Sequence, residues 1–171
     1  NASNLTYGFY AVPDYEGNPE CIVVWGKNLP GTLFHVYEKL KSAMKAGAKL
    51  VVIDPRPSEL TQKADLWLRL RPGTDLALAL GFLNVIIAGK LHYDEFVREW
   101  TVGFDELEAH VKGFPPAKVA AITGLPVESI QQAASLYARA SAACIQWGNA
   151  IDQGIHSYQT ARALCILRAI T

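Results

Sequence analysis

The sequence predicts an α/β protein built on an open, mostly parallel, Rossmann-like sheet with helices on both faces. The first reason is a set of short, continuous apolar runs, typical of strands buried on both faces: CIVVW, KLVVI and ACIQW. The second is that these runs alternate with segments of helical spacing, the pattern of parallel α/β sheets. We expect residues 1–20 to be an irregular lead-in and residues 21–171 to form a single α/β domain.

The composition excludes some classes of partner. Sixteen basic side chains balance sixteen acidic ones, so no charge excess attracts nucleic acid or an anionic membrane over long range. We therefore expect no nucleic-acid partner and no direct membrane contact. The three cysteines, at positions 21, 144 and 165, are widely spaced among apolar neighbours and predict reduced core thiols without a metal site.

The first predicted unit is a βαβ motif over residues 21–53. Its first strand is CIVVW, which breaks at Gly26, and its second is KLVVI. Between them, Leu33, Tyr37 and Leu40 repeat at helical spacing, and Gly47 is placed to end that helix. Such units are right-handed and make their two strands parallel.

The remaining elements follow in order. DLWLRL alternates at period two and predicts an edge strand, and Thr74 or Asp75 is placed to cap the apolar helix over residues 76–89. Short helical segments follow at residues 93–100, 104–113 and 116–124, then a helix to residue 140 whose first turn contains Pro126. The strand ACIQW ends on Gly148, and helix resumes after Ser157.

Four loops carry unusual residues at the carboxyl ends of the predicted strands, where open parallel sheets bind ligands. They are Trp25-Gly26-Lys27-Asn28-Leu29-Pro30, Asp54-Pro55-Arg56, Pro72-Gly73-Thr74-Asp75, and Trp147-Gly148-Asn149 with Gln153 nearby. Their agreement predicts one ligand site at this edge.

The first loop has the chemistry of a phosphate or ribose contact. Gly26 allows a ligand to approach the backbone, the next helix start offers free N–H groups, and Lys27 and Asn28 add donors. The dinucleotide pattern GxGxxG is absent, so an ordinary nicotinamide site is not indicated. A plain strand-to-helix turn remains the alternative.

The second loop places an acid at the end of the second strand. A carboxylate such as Asp54 accepts two ribose hydroxyls at once, and Pro55 and Pro57 stiffen the loop around Arg56. Arg56 would stack on a base or bind a phosphate. Alternatively, Asp54 accepts N–H groups of its own turn, and Arg56 pairs with a surface carboxylate.

The third loop ends in Asp75, which has two possible roles. An acid at this position favours the start of a helix electrostatically. Its two oxygens also match the paired N1–H and N2–H donors of guanine, which adenine does not offer. Both interpretations stay open on the sequence alone.

We find no catalytic residues and no metal ligands. His35, His92, His110 and His156 have no ligand spacing and are expected to be surface or packing residues. The serines and threonines lack a nucleophile-elbow context.

In these motifs the sequence resembles the molybdopterin oxidoreductases of the dimethyl sulfoxide reductase superfamily, which includes formate dehydrogenases, nitrate reductases, and thiosulfate and polysulfide reductases. The resemblance runs from about Pro13 to the C-terminus. It is carried by CIVVWGKNLP, the block over residues 47–87, YDEFVREWTVGFDEL, VAAITGLPVESI and IQWGNAIDQ.

The resemblance implies a domain that binds one of two molybdopterin guanine dinucleotides, which coordinate molybdenum or tungsten. Trp25 to Pro30 would lie along the phosphates and ribose, Ile53 to Arg56 around the guanosine, and Thr74 and Asp75 at the guanine. Gly73, in the same loop, is a further expected cofactor contact. Trp147, Gly148 and Gln153 match a motif nearer the pterin.

The resemblance also implies parts that this chain lacks. There is no CxxC, so we expect a 4Fe-4S cluster and the metal ligand upstream in a longer polypeptide, of which this chain, without an initiating Met, is a piece. The implied partners are the remaining domains and an iron–sulfur electron-transfer subunit, in the cytoplasm or the periplasm. We expect the chain alone to be catalytically silent.

Two rival interpretations remain. The central domain of thiamine-dependent enzymes, which binds FAD or ADP or is structural, also has a strand ending in Ile-Asp. A non-redox nucleotide-binding or interaction module would use Trp25, Trp147 and the tyrosine-rich lead-in as contacts.

Overall fold

The computed structural model describes residues 2–9 and 11–171. Four strands form one sheet in the order β3-β2-β1-β4, and every neighbouring pair is parallel. The strands are β1 Cys21–Trp25, β2 Lys49–Ile53, β3 Leu66–Leu68 and β4 Ala143–Trp147. The predicted α/β fold is confirmed, and the short strand from the alternating run lies at one edge of the sheet as expected.

The helices in the first half of the described chain are α1 Ala2–Tyr7, α2 Leu29–Thr32, α3 Phe34–Lys45, α4 Glu59–Lys63 and α5 Asp75–Ala88. Those in the second half are α6 Asp94–Trp100, α7 Phe104–Val111, α8 Pro116–Thr123, α9 Val127–Ala138, α10 Asn149–Asp152 and α11 Ser157–Ile170. The longer helices begin and end within a few residues of the sequence expectations. The structure adds the very short α2, α4 and α10.

The two faces of the sheet carry separate cores, because successive side chains of a strand point to opposite sides. On one face Val23 and Trp25 of β1 pack with α5, α9 and α11. On the other face Ile22 and Val24 pack with α3 and α4. The helices therefore cover both faces, and the predicted stripe of α9 is fully buried: Ile130, Ala133, Ala134 and Tyr137.

The lead-in was predicted to be irregular, but part of it is helical. Residues 2–7 form α1, which packs against α11, and the Oγ of Ser3 lies 3.5 Å from the Sγ of Cys165. A six-residue helix is too short to show a helical period in the sequence and is stabilised mainly by tertiary packing, so this helix was not predictable. Asn1 and Tyr10, also in that lead-in, lie outside the described residues.

Arg168 of α11 forms hydrogen bonds with both the lead-in and β4, on the open side of β4. Its guanidinium donates to the carbonyl oxygens of Ile145 in β4 and of Ala11 in the lead-in, the latter at 3.2 Å. It also lies 4.5 Å from the centre of the Trp147 ring. Over residues 2–9 and 11–171, no helix combines the length and apolar character needed to cross a bilayer.

Candidate functional site

All four strands end at one level. Trp25, the last residue of β1, is paired with Ile53 of β2 on one side and Trp147 of β4 on the other, and Ile53 is paired with Leu68 of β3. Neighbouring strands lie about 4.8 Å apart, so the loops that follow them leave one edge side by side. We refer to this row of strand ends and its loops as the carboxyl edge.

The loops after β1 and β4 pack directly against each other. Gly26 has a φ of +56°, in the left-handed region, and its N–H donates to the carbonyl oxygen of Ile53 at 2.8 Å. A Cβ on Gly26 would lie 2.8 Å from the Cβ of Ala150, and one on Gly148 would lie 2.4 Å from the carbonyl oxygen of Gly26. Glycine is therefore required at both positions by close packing of the two loops.

The positive charge of the first loop comes from Lys27. Its side chain runs past Gly148, and no carboxylate of the described residues lies within 4.0 Å of its ammonium. The next helix offers fewer free N–H groups than expected. Helix α2 has only four residues, and the N–H of Gly31 already donates to the Oδ1 of Asn28 at 3.4 Å. The longer crossover helix α3 begins only at Phe34.

Two predicted residues of this loop face inward or are partly covered. Leu29 is fully buried in the core beside α3, so its side chain is not exposed to a ligand. Pro30 lies in the first turn of α2 and is half-buried. Their assignment as cofactor contacts stays a prediction.

The two carboxylate oxygens of Asp54 differ in their hydrogen bonds. Its side chain is 12% exposed, and Oδ1 accepts the N–H of Arg56 at 2.8 Å, with the Nε of Arg56 at 3.7 Å. Within the described residues, Oδ2 accepts no hydrogen bond. The local turn is thus satisfied by one oxygen, as the alternative interpretation expected, and the other keeps its capacity for ligand hydroxyls. The side chain of Arg56 is 78% exposed.

The shape of this second loop is fixed by two residues that the sequence analysis missed. The indole N–H of Trp67 donates to the carbonyl oxygen of Asp54 at 2.8 Å, and the Nε of Arg69 donates to that of Pro55 at 3.2 Å. The alternation of DLWLRL, which predicted the strand, also places Trp67 and Arg69 on one side of it. Their position on the same side of the strand was the feature from which both could have been predicted. Ile53 itself is fully buried.

Asp75 is joined to the middle of the carboxyl edge by a tryptophan. It is the first residue of α5, and its Oδ1 accepts the indole N–H of Trp25 at 2.8 Å. Trp25 is fully buried and packs in a tilted arrangement on Phe82, with ring centres 5.8 Å apart. The third loop is thereby held beside the first.

The turn before α5 is compact. Gly73 has a φ of +81°, which only glycine adopts readily, and the space around it is open. The hydroxyl of Thr74 donates to the carbonyl oxygen of Arg71 at 2.6 Å instead of capping α5. This turn leaves the backbone of Gly73 exposed.

The fourth loop repeats the pairing of an indole with an aspartate. The N–H of Trp147 donates to the Oδ1 of Asp152 at 3.3 Å, and Arg168 lies against the indole ring. Gln153 ends α10 and is exposed. Asp152 and Arg168 were not predicted, and the distance of Arg168 along the chain left no local signal for it.

The histidines have no metal-ligand spacing in the sequence, and His92 lies away from the four loops. His92 follows α5, whose 14 residues extend about 21 Å from the carboxyl edge. Its side chain is 8% exposed, and its Nε2 lies 3.0 Å from the Oδ1 of Asp94. Among the described residues, no cluster of three histidine, cysteine or acidic side chains is arranged to hold a metal ion.

Comparison with known proteins gives one family. The family model described as molybdopterin oxidoreductase matches residues 15–171. Acetylene hydratase of Syntrophotalea acetylenica is 43% identical over 97% of this chain, and formate dehydrogenase H of Escherichia coli is 35% identical over 90%. The solved structure of acetylene hydratase from Pelobacter acetylenicus superposes on 99% of this chain with a TM-score of 0.95 and 42% identity.

The extent of these matches bears on the first of the two rival interpretations. The chain spans 23% of the length of acetylene hydratase and 22% of that of formate dehydrogenase H. The family model nevertheless covers all four strands and all four loops of the carboxyl edge, which decides against the central domain of a thiamine-dependent enzyme. By this match and these identities, the chain belongs to the molybdopterin oxidoreductase family.

Proposed function

We propose that this chain binds the guanosine and phosphates of one molybdopterin guanine dinucleotide within a molybdenum- or tungsten-dependent enzyme. The observation that carries the proposal is the position of Asp75. Its carboxylate is held by Trp25 at the same edge from which the loops of Lys27 and Asp54 leave the sheet.

The donors and acceptors of the edge fit the chemistry of such a dinucleotide. A ribose offers hydroxyl donors, and the free Oδ2 of Asp54 is an acceptor for them. A pyrophosphate needs cationic and N–H donors, and Lys27 has no carboxylate partner among the described residues. Arg56 is exposed on the same loop as Asp54 and completes the set as a base-stacking or phosphate-binding group.

The base is the most specific part of the proposal. Guanine presents two adjacent N–H donors, and a carboxylate with one oxygen for each matches them, whereas adenine presents an acceptor beside its amino group. Support comes from the position of Asp75 as the first residue of α5 and from the exposed turn before it, where a Cβ on Gly73 would meet no atom within 4 Å. Trp147, Gly148 and Gln153 lie at or just after the end of β4, and we assign them to the pterin side of the dinucleotide.

When bound, the dinucleotide supplies the metal centre at which the reaction takes place. This chain's own residues bind and orient the group, and we assign no catalytic residue to it. The remaining domains of the longer polypeptide, a 4Fe-4S cluster upstream and an iron–sulfur subunit are the proposed partners. With them, we propose an oxidoreductase as the parent enzyme.

A second parent reaction is favoured by one observation. The identity to acetylene hydratase, 43%, exceeds that to formate dehydrogenase H, 35%. The parent would then add water to its substrate without net transfer of electrons. Measuring dye reduction with formate against hydration of acetylene, on the same preparation of parent enzyme, distinguishes the two reactions.

The nucleotide assignment is tested on the chain itself. We expect GMP and GDP to bind more tightly than AMP and ADP, although weakly, because only part of the dinucleotide is offered. Titration by calorimetry, or by NMR where binding is weak, measures both series. Equal affinity for the two bases would overturn the assignment of Asp75 to guanine.

A further inference from the structure

We infer that Trp25 is the positioning residue for base selection: its indole N–H fixes the Asp75 carboxylate so that only a guanine edge satisfies it. The inference rests on the proposed function and names a residue that the ligand does not touch. Trp25 is fully buried, so the side chain acts on the base only through Asp75.

The hydrogen-bonding capacity of the carboxylate leads to this assignment. An indole N–H only donates, so the Oδ1 of Asp75 is an acceptor in this pair. A carboxylate has about four acceptor positions, and one on Oδ1 is used by Trp25 at 2.8 Å. At least one position remains on each oxygen, which is the number that N1–H and N2–H of guanine require.

The rigidity of the pair makes the selection effective. A lone aspartate at a helix start rotates about its last side-chain bond and accepts donors from several directions. Trp25 is held by the β1 ladder and by its contact with Phe82, 5.8 Å between ring centres, so the direction of its N–H is fixed. The carboxylate plane is therefore set before a ligand arrives, which reduces the entropy lost on binding.

A purely structural role predicts something different. A buried indole N–H needs an acceptor in any fold, and Asp75 would satisfy it whether or not a base binds. In that case, removing the N–H would weaken binding of all nucleotides together or would change only the melting temperature. The positioning role instead changes the ratio of guanine to adenine affinity.

The experiment compares Trp25→Phe with wild type for GMP, IMP and AMP. Phe keeps an aromatic ring at this position and removes the N–H donor, but it also leaves a cavity where the second ring of the buried indole was, so the ratio of GMP to AMP affinity is the deciding measurement. We expect GMP affinity to fall about tenfold, since a hydrogen bond to a charged group is lost, while AMP affinity changes less than about twofold. IMP, which lacks the 2-amino group, should lose less than GMP. Trp100→Phe, at a tryptophan 76% exposed at the end of α6, is the matched control and should alter none of the three.

A second measurement uses the unmodified protein, in case Trp25→Phe does not fold. The indole N–H resonance of Trp25 should be protected from exchange and should shift on saturation with GMP but not with AMP.

The outcomes separate the two claims. If wild type prefers guanine and Asp75→Asn abolishes that preference, but Trp25→Phe keeps the GMP to AMP ratio, the positioning role is wrong and the proposed function stands. An indole resonance unmoved by GMP leads to the same conclusion. If wild type shows no guanine preference, the base assignment fails, and the positioning role fails with it.

Discussion

Gly148 and Gly26 are in such close contact that a Cβ on Gly148 would lie 2.4 Å from the carbonyl oxygen of Gly26 and 3.0 Å from the Cα of Lys27. The atoms on both sides of this contact are backbone, so neither loop moves without disturbing the strand before it. The relative position of the first and fourth loops therefore depends on these two glycines.

Gly148→Ala should destabilise the fold by about 1–3 kcal/mol, the usual cost of forcing extra volume into a packed site. It should also displace Lys27 and weaken binding of any anionic ligand. Chemical denaturation measures the free energy of unfolding. Gly113→Ala, where the nearest atom lies 3.3 Å away, is the control. Equal stability of the two variants would show that the loops yield easily.

Asp54→Ala and Asp75→Ala in the parent enzyme should lower its cofactor content and leave its fold intact. Each change removes an acceptor from the carboxyl edge. Asp54→Ala loses a local hydrogen bond, at a cost of about 1 kcal/mol, and Asp75→Ala leaves the buried N–H of Trp25 without its acceptor, at a cost of about 1–3 kcal/mol. Molybdenum or tungsten is measured by mass spectrometry, and the pterin by its fluorescence after release. Asp105→Ala, on the exposed side of α7, serves as control. Variants that keep full metal and pterin would contradict the proposed roles.

The cysteines should resist alkylation in the folded chain. Burial raises the pKa of the thiols of Cys21 and Cys144 to about 12 each. At pH 8 only ~1 in 10⁴ of such groups is the reactive thiolate. Mass spectrometry after iodoacetamide should find both unmodified, and all three cysteines modified in denaturant. Rapid labelling of Cys21 in the native chain would contradict its burial.

Acid should remove a contribution of Glu20 to stability. The N–H of Ser141 donates to its carboxylate at 2.9 Å and holds the pKa of Glu20 below its ordinary value of 4.5. The folded state then binds fewer protons than the unfolded state, so this contribution is present above pH 4.5 and disappears as the pH falls through the lowered pKa.

The test is the difference in unfolding free energy between wild type and Glu20→Gln, followed from pH 7 to pH 3. It should shrink on acidification. The same series with Glu128→Gln, on the exposed side of α9, should stay flat. A difference for Glu20 that is constant with pH would show that its bond to Ser141 contributes nothing through charge.

The strands and their arrangement in the sheet were predictable, because each strand has a pattern within its own few residues. Continuous apolar runs gave β1, β2 and β4 with their observed bounds, and the alternation of DLWLRL gave the edge strand β3. Parallel strands then placed the loops at one edge. The four-residue helices α2 and α10 were not predictable, since they are too short to show a 3.6-residue period.

The contacts within the site were less predictable than its location. Trp25 and Asp75 are 50 residues apart, and no pattern in the chain pairs an indole with an acid at that distance. The sequence predicted both residues as ligand contacts, which stays a prediction; the structure shows that the tryptophan is fully buried and donates to the carboxylate. For Asp54 the structure shows the local turn, in which Oδ1 accepts the N–H of Arg56, and the role of the other oxygen toward a ribose stays a prediction.

The guanidinium of Arg168 has a consequence for association between molecules. The backbone groups of Ala142 and Gly148 form hydrogen bonds toward β1. Because the backbone groups of successive residues in a strand point in opposite directions, the carbonyl of Ile145 faces the other, open side of β4. Arg168 occupies that carbonyl while stacked on Trp147. A foreign strand adding to β4 would have to displace a charged group held at three places, so this edge is protected against the intermolecular sheet growth that begins aggregation.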